Sequence, residues 1–207
     1  MNNTLLTALA LPILLVAPLK AEAGGASFED LKEKAEKIES LGNFLKNYVG
    51  VCKGDPFEVR DCRASTQKAR QKFAGKLLHV RLSDSHGQLV QVAGELPSGA
   101  LRMAVTPFFD AAGYGLCKDK APKFDKGGSP RMRLLPFTIE PPEDLNRRNL
   151  ELQLRSGNVK MELLFKVKSA WKAKRPGDED AEGIAATFKG LRLTSARTGE
   201  VIGEVVW

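Results

Sequence analysis

The sequence predicts an α+β protein, mainly β. An N-terminal helical segment packs on an antiparallel β-sheet of about seven strands, curled as a sandwich or barrel, with an OB-like barrel as one candidate. Three observations carry this. Apolar residues recur at three- and four-residue steps before residue 50, the period switches to two after residue 77, and Gly- and Pro-rich stretches punctuate the second half. At 207 residues one globular domain is expected, and an apolar fraction of 43% suits a buried core.

Residues 1–23 read as an export signal. Leu5 to Leu19 is an uncharged apolar run broken by Pro12 and Pro18, too short for a permanent span. Ala21-x-Ala23 is the small-residue pattern of a cleavage site, which places the mature N-terminus at Gly24. No cysteine stands near that site to carry a lipid anchor, so a periplasmic or secreted protein is expected.

The mature chain, residues 24–207, divides into a helical part (24–76) and a β-rich part (77–207). Ser27 to Val49 reads as one amphipathic helix through Phe28, Leu31, Ala35, Ile38, Leu41, Leu45 and Tyr48, capped by Ser27 and stopped at Gly50. A shorter helix is expected over Arg63–Phe73. Cys52 and Cys62 flank the turn residues Gly54-Asp55-Pro56, and in an oxidising compartment a bridge between them would tie the two helices together. Cys117 is then the odd cysteine, read as a buried thiol.

Strict alternation marks the strands. Leu78, Val80 and Leu82 form one, and Leu101, Met103 and Val105 another. Leu150, Leu152 and Leu154 suggest a third, joined by a hairpin loop, 155–158, to the clean alternation of Val159 to Val167. In Ile184 to Leu193 the parity flips at Gly190, which predicts a β-bulge. A last strand covers Val201 to Trp207. Pro107 to Pro130 reads as a long loop and Arg175 to Glu182 as a polar, acidic one.

Several stretches together resemble a known family. They are Phe44-Leu-x-Asn-Tyr-Val-Gly50 with Cys52 and Cys62, Phe73-Ala-Gly-Lys76, Val105-Thr-Pro-Phe-Phe109, Gly113-Tyr-Gly-Leu116, Ala121-Pro-Lys123, Asp125-x-Gly-x-x-Pro130, Leu134-Leu-Pro136 and Arg197-Thr-Gly-Glu200. The resemblance is to an uncharacterised family of exported Gram-negative bacterial proteins, a domain of unknown function with no known activity. It implies export and the Cys52–Cys62 pair, and supplies no site residues.

Catalytic and cofactor signatures are missing from the sequence. There is no Gly-x-Gly-x-x-Gly, Walker loop, Gly-x-Ser-x-Gly elbow or Cys-x-x-Cys, so no cofactor and no metal are expected. His79, on the outward parity of its strand, and His86, in a turn, read as surface residues. Asp178-Glu-Asp180-Ala-Glu182-Gly183 mimics the start of a calcium loop, but Lys189 stands where that loop needs a glutamate.

The chain carries 32 Lys+Arg against 25 Asp+Glu, a net charge of +7. Three segments hold the excess: 63–76, 118–133 and 166–175. Lys160, Lys166 and Lys168 share an outward parity with Trp171 just beyond, so these four are candidate contacts to a polyanion. Phe108, Phe109 and Tyr114 in the Gly/Pro-rich stretch are a second candidate set, unless Phe108 and Phe109 plug the β-core. The expected role is that of an exported cell-envelope protein with a non-enzymatic binding or structural function. Its partner would be an anionic envelope polymer, a lipid surface or another protein. The alternatives are an OB-like binder of nucleic acid or another polyanion through a basic face, and a hydrolase with its site in 107–130. N-terminal sequencing of the protein recovered from its native host should read Gly24-Gly25-Ala26. An intact Met1 would overturn the cleavage assignment.

Overall fold

The computed structural model describes residues 26–177 and 179–207. The stretch expected to be an export signal with its cleavage site, and Asp178, lie outside the described residues.

The predicted first helix is two helices with a strand between them. α1 (Phe28–Glu33) starts at Ser27, whose hydroxyl accepts from the Asp30 amide while the Asp30 carboxylate accepts from the Ser27 amide. β1 (Glu36–Ile38) then pairs in parallel with β2 (Leu78–Arg81), and α2 (Leu41–Val49) restarts behind Ser40. The helical periodicity of residues 27–49 was real, but the free edge of β2 recruits residues 36–38 for its own hydrogen bonds. Gly50 ends α2 with φ +67°, a conformation that a side chain would strain, and an added Cβ would strike Thr66.

α3 (Pro56–Phe73) is longer than the predicted 63–73. Asp55 caps it, Pro56 occupies its first turn, and Glu58 closes a capping box. α3 is exposed along most of its length, so it is fastened rather than buried. The Cys52–Cys62 disulfide fixes its start. Arg70 donates to the Tyr48 and Val49 carbonyls at 3.0 Å each, and Phe73 packs edge-on against Phe44. A cross-link closing so short a loop contributes about 2–3 kcal/mol.

A 3-10 turn at 84–89 leads into β3 (Val90–Glu95) and β4 (Leu101–Val105). The stretch predicted as a long loop is instead mostly structured. β5 (Phe108–Ala111) and β6 (Tyr114–Lys118) form a hairpin, and β7 (Lys123–Phe124) and β8 (Pro130–Arg131) a smaller one. β9 (Leu135–Ile139) follows and pairs with β4.

Residues 147–155 include the stretch expected to be a strand. They form a helix, α4 (Arg147–Arg155), not a strand, so 155–158 is not a hairpin loop. Alternate leucines fit a strand, but Leu150 and Leu154 are also four apart and share a helix face. The Asn146 cap and the Arg147–Glu151 pair support the helix, and Leu152, left on the wet side, is 57% exposed.

β10 (Val159–Lys174) and β11 (Asp180–Ser195) make a hairpin of two sixteen-residue strands. The acidic loop of 175–182 therefore shrinks to a turn. The bulge predicted at Gly190 is present: Leu164 faces Gly190, Phe165 faces Phe188, and Lys189 is extra. A second irregularity at Lys168 turns Trp171 to the face opposite Phe165 and Val167. β12 (Val201–Val206) closes the chain against β11.

The main sheet has seven strands in the order β1-β2-β10-β11-β6-β5, with β12 beside the far half of β11. It is mixed rather than purely antiparallel, because β1 with β2 and β6 with β11 are parallel. It does not close into a barrel. One face shares a core with α2, α4 and the three-stranded sheet β3-β4-β9, an arrangement like a sandwich. The other face carries a smaller cluster, Phe108, Cys117, Trp171, Ala181 and Ala185, covered by Ala121, Phe124 and Met132 of the β7–β8 flap. Gly115 and Gly183 let the parallel strands meet beneath Trp171. An added Cβ on Gly183 would sit 1.9 Å from the Gly115 carbonyl.

Denaturant titration separates these assignments. Leu150→Ala should cost about 2–5 kcal/mol and Phe109→Ala about 3–5 kcal/mol, because both side chains are fully buried. Leu152→Ala should stay within about 0.5 kcal/mol. A large loss at Leu152 would contradict the helix.

Candidate anion-binding cleft

The flap that covers Trp171 leaves a cleft of about 610 Å3 beside it. One wall is the end of β6 and the run to β7, with Lys118, Asp119, Lys120, Ala121, Pro122 and Lys123. The other runs from β8 into β9, from Arg131 to Pro136, and Pro107 completes the lining. Local chemistry sets both walls. Asp119 adopts φ +65° at the end of β6, and its amide donates to the Ala186 carbonyl at 2.8 Å, which turns the chain out of the sheet. Asp125 accepts from the Gly127 and Ser129 amides at 2.9 Å each and so folds the flap back on itself.

Five cations line the cleft, with one acid. Asp119 takes up Lys118 and, at 3.3 Å, Lys168 from β10. The Lys118 ammonium, then Lys168, holds its carboxyl below the usual range, so it stays charged. Lys120, Lys123, Arg131 and Arg133 are exposed and form no ion pair among the described residues. Beneath this rim the lining is apolar: Pro107 and Pro122 are buried, Ala121, Met132 and Leu135 half-buried. Leu134 stands at the mouth, 41% exposed. The arrangement is an open, positively charged groove with a greasy floor.

The residues singled out from the sequence do not form one face. Lys168 reaches the cleft only through Asp119. Lys166 is exposed on the outward side of β10. Lys160 lies over a separate depression of about 190 Å3, with Arg81, Glu162, Thr194 and Ser195. Trp171 is 9% exposed beneath the flap, Phe108 packs against it, and Phe109 stacks on Phe188 in the main core. These aromatics pack the interior and offer no ring to a solvent-borne partner. Tyr114 is half-buried at the hairpin turn.

The other basic segments are largely taken up within the fold. In the segment 63–76, Lys72 and Lys76 pair with Glu36 while Arg70 binds α2 carbonyls, which leaves Arg63 and Lys68 unpaired among the described residues. Lys172 pairs with Asp180 and Glu182 across the hairpin, and Lys174 with Asp180. Asp180 and Glu182 of the calcium-like run thus face lysines. Among the described residues no group of three or more His, Cys, Asp or Glu side chains is placed to hold a metal ion.

Both histidines are buried, contrary to the surface reading. His86 anchors the 3-10 turn. Its Nε2 donates to the Asp110 carbonyl at 2.9 Å, so its Nδ1 accepts from the Ser83 hydroxyl at 2.7 Å. His79 belongs to a cluster that the sequence reading missed. Glu162, 5% exposed, is met by Lys32 at 3.0 Å, Arg81 at 3.3 Å, His79 Nε2 at 3.6 Å and Arg192 at 4.0 Å. Arg192 also pairs with Glu29 and Glu204 and covers the Phe28 ring. These contacts pin α1 to the outer face of the sheet. A signal was present: Arg81, Glu162 and Arg192 are direct cross-strand neighbours. Cys117 is inert. Burial pushes its thiol up to about 12, and its Sγ donates to the Lys120 carbonyl.

Fold and cleft together define an α+β protein with a bulged two-strand spine and a cation-rimmed groove on its outer face. The chain belongs to a family of unknown function (DUF6066), which matches it over residues 1–207. No curated protein and no solved structure matches it. No helix among the described residues is long and apolar enough to cross a membrane.

Glu162 makes the fold acid-sensitive in a defined window. The neighbouring His79, then Lys32, lowers its pKa from 4.5 to about 2 against the opposing effect of burial. Its charge therefore stabilises the fold fully above the unfolded value, and this contribution is lost as pH falls toward about 2. Thermal melts of wild type and Glu162→Gln should differ most above about pH 5 and converge as the pH approaches 2. A gap independent of pH would show that Glu162 acts through packing alone.

Proposed function

We propose that the protein is exported and serves in the cell envelope as a non-enzymatic binder of an anionic ligand, held in the cleft between residues 118–123 and 131–136. The observation that carries the reading is the convergence of Lys120, Lys123, Arg131 and Arg133, exposed and without acidic partners among the described residues, on one concave surface. Cations left unpaired around a groove favour an anion there, and low-dielectric walls strengthen the attraction. Export is supported by the apolar segment Leu5–Leu19 with Ala21-x-Ala23, by the Cys52–Cys62 disulfide, which persists in oxidising compartments, and by the resemblance to exported Gram-negative proteins.

Two alternatives have less support. A single-strand nucleic-acid binder needs exposed aromatic platforms, and here Phe108, Phe109 and Trp171 are interior. A hydrolase needs an activated nucleophile in a cleft. The Cys117 thiol is buried and protonated, and the Ser83–His86 contact serves to brace a turn.

The test titrates the chain from Gly24 against lipopolysaccharide, phosphatidylglycerol vesicles, peptidoglycan and single-stranded DNA at stepped salt. Selective, salt-sensitive binding to one of them is expected. The variant carrying Lys120→Ala, Lys123→Ala, Arg131→Ala and Arg133→Ala should bind on the order of 1,000-fold more weakly, at about 1 kcal/mol per cation near an anionic surface. Its thermal stability should be unchanged, because all four side chains are exposed. Equal binding by wild type and variant would refute the cleft as the site.

A further inference from the structure

We infer that the ligand of this cleft is a single amphiphile, a phosphate head group carrying an acyl chain, rather than an extended polyanion. The inference rests on the anion-binding reading above and adds what the floor of the cleft requires. Charge occupies only the rim. Below it the lining is apolar: Pro107 and Pro122 are already out of water, Met132 and Leu135 are half-buried, and Leu134 keeps two-fifths of its surface in water.

A polymer of phosphates lying over the rim would satisfy the cations and leave the exposed parts of Met132, Leu134 and Leu135 in contact with water. An acyl chain removes the floor from water while its phosphate meets the cations, so each half of the molecule finds its counterpart within one small site. The volume, about 610 Å3, falls in the range of about 300–1,000 Å3 typical of small-molecule sites. Arginines at 131 and 133 suit a phosphate, since the planar guanidinium donates to two oxygens at once. Leu134 lies between the second of these and the floor in sequence, so the chain passes from charged to apolar lining within a few residues.

Calorimetry with the chain from Gly24 can dissect the two halves. The probes are dodecyl phosphate below its micelle concentration, pyrophosphate (charge without chain) and dodecyl maltoside (chain without charge). Dodecyl phosphate should bind at least about 100-fold more tightly than pyrophosphate, as the burial of a few methylenes predicts. It should also bind more tightly than dodecyl maltoside. Leu134→Asn should weaken dodecyl phosphate about tenfold and leave pyrophosphate unchanged, whereas Arg131→Ala with Arg133→Ala should weaken both.

Pyrophosphate bound as tightly as dodecyl phosphate would overturn the amphiphile and leave the anion-binding cleft standing. Equal affinity for the maltoside would overturn it from the other side. Failure of both phosphates to bind would remove the anion-binding reading as well. Phosphatidylglycerol vesicles form a final arm. Sedimentation with vesicles in the absence of monomer binding would assign the cleft to a bilayer surface and refute a single bound molecule.

Discussion

The pairing of β10 with β11 is the constraint on which the remaining architecture depends. Each strand is long enough to serve several partners in succession. β2 joins one edge of the hairpin beside residues 162–165, while β6 and then β12 share the other edge along residues 182–186 and 190–194. The two irregularities give this spine two working faces. Val159, Met161, Leu163 and Phe165 point into the main core, and beyond Lys168 the large side chain, Trp171, points the opposite way. A regular hairpin would place Trp171 on the same side as Phe165, and the flap that carries Phe124 and Met132 would have nothing to cover.

That reversal links core packing to the cleft. The flap buries Trp171, Phe108 and Cys117 on its inner side, and with the end of β6 it forms the walls of the groove on its outer side. The aromatic residues that look from composition like ligand contacts therefore work one layer deeper. They hold in place the segment that presents the cations.

Charge is distributed by the same logic. Glu36 meets Lys72 and Lys76, Asp180 and Glu182 meet lysines across the hairpin turn, and Glu162 gathers cations from α1, β2 and β11. Exposed pairs of this kind each contribute little stability. Their consequence here is spatial, because they neutralise much of the positive excess elsewhere and leave residues 120–133 as a concentrated unpaired set. The buried Glu162 cluster differs in kind. Removing this buried anion would leave Lys32 and Arg192 with only the more exposed Glu29 and Glu204 as partners, and His79 with no carboxylate beside it.

Local features of this protein were legible in its sequence because local physics decides them. The caps at Ser27 and Gly50, the β-rich second half, the alternation from Val159 to Val167, the bulge at Gly190 and the pairing of Cys52 with Cys62 all follow from residue type and spacing. Tertiary structure decided the rest. Residues 150–154 satisfy both a strand and a helix, and a core that takes Leu150 and Leu154 but leaves Leu152 in water selects the helix. Residues 36–38 leave a helical period to fill the edge of β2. His79 sits on an outward parity, yet the outward face is covered there by α1. The sequence showed that 118–133 is basic. Only the folded chain shows that these cations surround a groove, because convergence depends on how β6, the flap and β9 are placed against one another, and no spacing along the chain encodes that placement directly.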